Sequence, residues 1–209
     1  MFIIALDYLL EMAPDSPQAS RWKSLREGIE RNVRAHLWDE KRQKFIPHIY
    51  PEKSPIPEGF DELAIHYHGG TAIAIEAGLL SKDEIRTVNA QMLENVRLSG
   101  MPSIGLTLYP VYPDGFFHGG MSKAYLYQNG GDWTWFGGRM IQQLVVNGMV
   151  EEAYAEIHPM IERVIQNDGF YEWYGKGGVP SGSGNFKGSA GVLSKAIELL
   201  RDWAEKNKS

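Results

Sequence analysis

The chain has 209 residues, enough for one domain or a small pair, and 43% of them are hydrophobic, so a sizeable core can form. A formal net charge of −5, with no Lys/Arg run longer than two, argues against a nucleic-acid footprint. Cysteine is absent, which rules out disulfides and thiolate chemistry, and no stretch reaches the roughly 18 apolar residues of a membrane span.

Residues 1–10 are apolar but make a poor signal peptide: they lack a basic start, carry Asp7 and offer no cleavage site. A cytoplasmic protein is expected. Residues 2–13 read as a helix entered without a cap, which suggests the later part of something longer. After the break at Pro14, Asp15 or Ser16 can cap a second helix with Pro17 in its first turn. Trp22, Leu25, Ile29, Val33 and Leu37 carry its stripe. Residues 38–60 read as a proline-rich loop. Residues 61–79 read as an inner helix of small and β-branched residues, with Asp61 and Glu62 favouring its dipole and Gly78 closing it. Ser81 and Glu84 have capping-box spacing, so another helix starts there. Residues 100–131 form a long loop with an extended piece near 104–109, and a loop of that length is usually functional or mobile. Asp132 sits where an N-cap would, ahead of Phe136, Met140, Ile141, Leu144 and Val145 at helical spacing. Gly148 ends that helix, a partner follows, and a final helix runs over about residues 189–206.

A weak internal repeat joins these elements. Ile29-Glu30, Leu93-Glu94-Asn95-Val96 and Ile161-Glu162-Arg163-Val164 take the same place in three helices, and Gly78-Leu79-Leu80 matches Gly148-Met149-Val150 at tight turns. The period is about 64 to 70 residues. Short turns at one end and long loops at the other describe helical hairpins side by side. The expected fold is all-α, about three hairpins of an α/α toroid, as a single domain over residues 1–209.

Two loops carry the chemistry. Residues 128–135 read Gln-Asn-Gly-Gly-Asp-Trp-Thr-Trp, and residues 168–174 read Asp-Gly-Phe-Tyr-Glu-Trp-Tyr. Aromatic faces beside carboxylates and amides suit a sugar: rings cover its apolar faces, amides hold its hydroxyls, and carboxylates move protons. Asp132 and Glu172 are the carboxyl pair these loops offer. Gln128, Asn129, Trp133, Trp135, Trp173 and Tyr174 are candidate sugar contacts. Each also has a plainer reading. Asp132 can be a helix cap, Asn129 can hold the turn before Gly130, and Trp133 shares the core stripe of Phe136 and Met140. His66, His68 and His118 have no metal-site spacing, and no metal or cofactor is expected.

From Tyr127 to Tyr174 the chain resembles the six-hairpin glycosidases, above all the alkaline/neutral invertases. There Tyr-His-Asn-Gly-Gly-Ser-Trp precedes a hairpin, Gly-Trp-Pro-Glu-Tyr-Tyr and a terminal helix; trehalases and processing α-glucosidases use a related Glu loop. The resemblance implies an inverting glycoside hydrolase with Glu172 as the base that activates water. Gln128 stands where the pattern has His, and Asp132 where it has Ser. The general acid of those enzymes has no counterpart here, so the chain corresponds to a C-terminal half. A carbohydrate-binding or assembly module without turnover is the alternative, and a toroidal epimerase or lyase using His66 and His118 is a third. Association with another copy, or with a chain supplying the missing hairpins, would follow from the apolar edges of a half ring.

Overall fold

A computed structural model describes residues 1–208. Seven helices dominate it: α1 (Phe2–Met12), α2 (Ala19–Leu37), α3 (His68–Glu76), α4 (Lys82–Ser99), α5 (Thr134–Val146), α6 (Val150–Gln166) and α7 (Lys187–Lys206). Three two-residue antiparallel ladders pin the loops: β1 (Trp38–Asp39) with β2 (Lys44–Phe45), β3 (His66–Tyr67) with β4 (Leu108–Tyr109), and β5 (Trp173–Tyr174) with β6 (Pro180–Ser181).

The all-α expectation holds, in the form of helical hairpins. α1 packs on α2 and α5 on α6, while α5 also packs against α3 on one side and α7 on the other. One apolar core runs through the array, from Ile3 and Ile4 through Ile75, Ile85, Val88, Met92, Met140, Ile141, Leu144, Ile157 and Met160 to Leu193. Close approach to α5 depends on Gly137: a Cβ there would overlap Met160 and press on the backbone of Gly105.

The repeat is atomic. In the turn after α3, Gly78 has φ +70°, its N–H meets the Ile75 carbonyl at 2.9 Å, and the Leu79 N–H meets Ala74 at 3.0 Å. After α5, Gly148 has φ +80°, its N–H meets Val145 at 3.0 Å, and Met149 meets Leu144 at 2.8 Å. This paired 5→2 and 6→1 bonding ends both helices on a left-handed glycine. α4 starts with the expected capping box: the Glu84 N–H donates to Ser81 Oγ at 3.3 Å and the Ser81 N–H to Glu84 Oε2 at 2.8 Å.

Three boundaries differ from expectation. α2 starts later than the Pro17 signal, and Ser16 Oγ accepts the Gln18 N–H at 3.2 Å without capping the helix. The loop over 38–60 contains the β1–β2 ladder. The single helix expected over 61–79 divides into a 3-10 turn at Glu62–Ala64, strand β3 and the shorter α3. The reason is pairing: His66 and Tyr67 face Tyr109 and Leu108 across the ladder, and the His68 N–H meets the Thr107 carbonyl at 2.9 Å. Backbone groups committed to a strand cannot also serve a helix.

Candidate active site

The loops preceding α3, α5 and α7 gather at one end of the array. The first carboxylate loop is threaded between two other segments. The Asp132 N–H donates to the Tyr174 carbonyl at 2.9 Å and the Tyr174 N–H returns to Asp132 at 2.8 Å. On the other edge, the Trp133 N–H meets Gly105 at 2.8 Å and the Thr107 N–H meets Gly131 at 2.9 Å. Residues 105–107, 131–133 and 174 therefore form an irregular three-segment sheet, and the two loops that looked separate in sequence are adjacent.

Within that sheet Asp132 is fully buried, at 0% exposure. Ser103 Oγ donates to its Oδ2 at 2.6 Å, and Arg163 Nη1 lies 2.8 Å from its Oδ1. Arg163, itself 5% exposed, also donates from Nη2 to Thr134 Oγ1 at 2.7 Å, and its guanidinium lies 4.0 Å from the ring centre of Tyr174. Asp132, Arg163, Thr134, Ser103 and Tyr174 make one buried knot that ties α5 and α6 to both loops. Asp132 is not the helix cap either: Trp133 holds that position and no side chain bonds the first turn. A carboxylate so enclosed, with a cation beside it, is placed for holding structure and not for giving a proton to a substrate.

Position 163 also explains the repeat. Arg163 matches Asn95 in the preceding hairpin, and Asn95 Nδ2 lies 3.0 Å from His68 Nε2, so each outer helix reaches back to the first residue of the inner helix before it. His68 is buried; desolvation pulls its pKa down to about 3, and the neutral ring accepts the amide.

Asn129, likewise 0% exposed, pairs with a backbone. Its Oδ1 accepts the Tyr112 N–H at 2.9 Å, and its Nδ2 donates to the carbonyls of Tyr112 at 3.1 Å and Lys123 at 3.2 Å. Gln128 is exposed, and its carbonyl accepts from Thr107 Oγ1 at 3.0 Å. Trp133 is 5% exposed with Nε1 on the Tyr127 carbonyl at 3.3 Å, and Tyr174 is fully buried. Four of the sugar-contact candidates are thus divided: Asn129, Trp133 and Tyr174 shape the site from below, and Gln128 is on the surface.

Glu172, Trp173 and Trp135 are placed differently. All three are half-buried. The Glu172 backbone N–H meets the Ser183 carbonyl at 2.9 Å, while its carboxylate lies against Gly182 with only a long 3.4 Å contact to the Ser183 N–H. A side chain at Gly182 would displace it. Trp173 stands edge-on to Tyr127 at 6.2 Å, Tyr127 edge-on to Trp133 at 4.9 Å, and Trp133 edge-on to Phe186 at 6.1 Å. Trp135 packs on Phe136 at 4.9 Å and carries the Arg139 guanidinium at 4.5 Å from its centre. The result is an aromatic wall of Trp173, Tyr127, Trp133 and Phe186, and Glu172 directly precedes Trp173 in the chain.

Sequence reading missed a second polar cluster at the same end. Oε1 of Glu62 has His48 Nδ1 at 2.7 Å and accepts the hydroxyls of Tyr50 at 2.8 Å and Tyr112 at 2.7 Å, and Tyr67 donates to Tyr112 at 3.2 Å. Burial works to raise the Glu62 carboxyl, but the bonds from Tyr112, His48 and Tyr50 hold it below its ordinary value. Asn129 clamps the Tyr112 backbone, so this cluster is mechanically joined to the first carboxylate loop. Its donors come from positions 48, 50, 62 and 112, and no short motif could have shown them together. Among the described residues no group of three or more His, Asp or Glu could hold a metal ion, and no helix is long and apolar enough to cross a membrane.

No protein-family model and no curated protein sequence matches the chain. Among solved structures, it is similar to a GH63 mannosylglycerate hydrolase from Thermus thermophilus, crystallised with Tris and D-glycerate, at 17% identity and a TM-score of 0.58. The match covers 95% of this chain and 43% of that one. The fold is a partial α/α toroid. The chain spans less than half the length of the structure it matches.

Proposed function

We propose that the aromatic wall is one side of a carbohydrate site in a glycoside hydrolase-like protein, with Glu172 as the base that activates water for inversion at the anomeric carbon. The observation that carries this reading is the Asp132–Tyr174 backbone pairing. It brings the Glu172–Trp173 segment to the first loop, with Trp173 edge-on to Tyr127 and Trp133 behind, and the Glu172 carboxylate there is half-buried with one long contact. A base needs ionisation and an approach for water, and Glu172 has a carboxylate free of any ion pair among the described residues. The fold likeness to a mannosylglycerate hydrolase supports the same class of chemistry.

Inversion needs a second carboxyl about 6.5–9.5 Å from the first, with a water between them. Asp132 is committed to Arg163 and Ser103, so the acid must come from outside the wall. In this reading further hairpins, in the same polypeptide or another, face the wall and close the cleft. The burial of Asp132 equally favours a second reading, a carbohydrate-binding module without turnover.

The test is hydrolysis of mannosylglycerate, sucrose, trehalose and aryl glycosides by the wild type and by Glu172→Gln. Activity in the first and its loss in the second support the base assignment. Equal hydrolysis by both removes Glu172 from the mechanism. A saturable tryptophan fluorescence change with sugar, and no turnover in either protein, selects the binding module.

A further inference from the structure

Away from the wall, a pocket of about 880 Å³ opens between the β1–β2 ladder and α4. Arg42, Lys44, His66 and Arg86 line it, with Glu94 the one acid. Most of these charges are already matched nearby. Arg42 lies 2.9 Å from Asp39, Arg86 2.7 Å from Asp83, and Glu94 2.5 Å from Arg97.

Lys44 is the exception. It is 3% exposed, donates one hydrogen bond to the Ile65 carbonyl and joins no ion pair among the described residues. An ammonium has three donors, so two are left over, and burying a cation without a counter-charge is unfavourable. Desolvation, helped by Arg42 and opposed by the more distant charges of Asp39 and Asp61, pulls its pKa down to about 8, which still leaves it mostly charged at neutral pH. A second feature lies alongside. Gln91 donates from Nε2 to the Arg42 carbonyl at 2.9 Å, but its Oε1 is buried and has no partner. The lining of one pocket therefore includes a cation without an ion pair and an acceptor without a donor.

We propose that this pocket binds a small hydroxylated anion, with carboxylate or phosphate oxygens on Lys44 and a hydroxyl donated to Gln91 Oε1. An anion supplies the direct ion-pair partner that Asp39 and Asp61 do not, and a ligand hydroxyl supplies the missing donor. The site is separate from the aromatic wall and does not depend on its reading.

Calorimetric titration with glycerate and with glycerol phosphate tests it, at constant ionic strength, with acetate, inorganic phosphate and glycerol as the comparison arms. Saturable binding of at least one hydroxylated anion is expected, and the preferred head group identifies the source as carboxylate or phosphate. Lys44→Met is expected to fold with a raised Tm, since a buried unpaired charge is removed, and to bind at least about tenfold more weakly. Gln91→Leu is expected to weaken glycerate or glycerol phosphate about fivefold while leaving acetate and inorganic phosphate unchanged. Arg86→Gln, at an exposed position, provides a variant whose fold is not in question, and a modest loss of affinity is expected. Trp173→Ala should bind as the wild type does, which separates this pocket from the wall. Absence of saturable binding by any anion, or equal binding by wild type and Lys44→Met, overturns the proposal.

Discussion

Asp132 and Glu172 lie in loops of similar composition and are joined through one pair of backbone hydrogen bonds, yet their surroundings are opposite. Asp132 has 0% exposure, a hydroxyl on one oxygen and a guanidinium beside the other; Glu172 is half-buried with one long contact. The difference shows that aromatic flanking alone does not mark a catalytic acid. What separates the two is whether a cation from elsewhere in the fold has already claimed the carboxylate. Glu156 adds a third case, 7% exposed, with Asn89 Nδ2 on Oε1 at 2.8 Å and Oε2 unpartnered.

The largest expected effect breaks the knot. Asp132→Asn leaves the Arg163 guanidinium buried without its counter-charge and should lower stability by about 3–5 kcal/mol in urea unfolding at neutral pH. Glu172→Gln should change it by less than about 0.5 kcal/mol. Comparable losses in the two variants would remove the contrast between the loops.

Next comes the support beneath the knot. Gly137→Ala places a methyl group against Met160 and within 2.9 Å of the Gly105 N, whose own carbonyl holds Trp133. A loss of about 1–3 kcal/mol is expected from this overpacking, read as a lowered midpoint of unfolding.

Glu156 sharpens the comparison through pH. Desolvation raises its pKa to about 7, against an ordinary 4.5. A carboxyl raised by folding contributes stability that is fully present below pH 4.5 and is lost as pH rises through about 7. Glu156→Gln removes that loss, so it should raise stability by about 1–3 kcal/mol at pH 8 and change little near pH 4. An equal effect at both pH values would show that the group does not titrate in this way.

The repeat and its hairpins were legible because their causes are local. Glycine after α3 and α5 permits the left-handed turn, and Ser81 with Glu84 satisfies the first amides of α4 within four residues. The site was less legible because its decisive partners are distant. Arg163 stands 31 residues after Asp132, and Asn129 spends its amide on the backbone of Tyr112. The helix expected from Asp61 onward failed for the same reason: the competing partner strand lies at Leu108–Tyr109. Lys44 left no sign, since a lysine in a short hairpin reads as solvated until its burial is seen.

The smallest structural change bears most directly on the central claim that the aromatic wall binds sugar while the knot behind it only holds shape. Tryptophan fluorescence of the wild type and of Trp173→Ala, titrated with mannosylglycerate and the disaccharides, measures it. The account predicts a saturable change in the wild type that disappears in Trp173→Ala, with the unfolding midpoint of the variant close to native. Wild-type fluorescence unmoved by every sugar tried, or an undiminished response in Trp173→Ala, would contradict it.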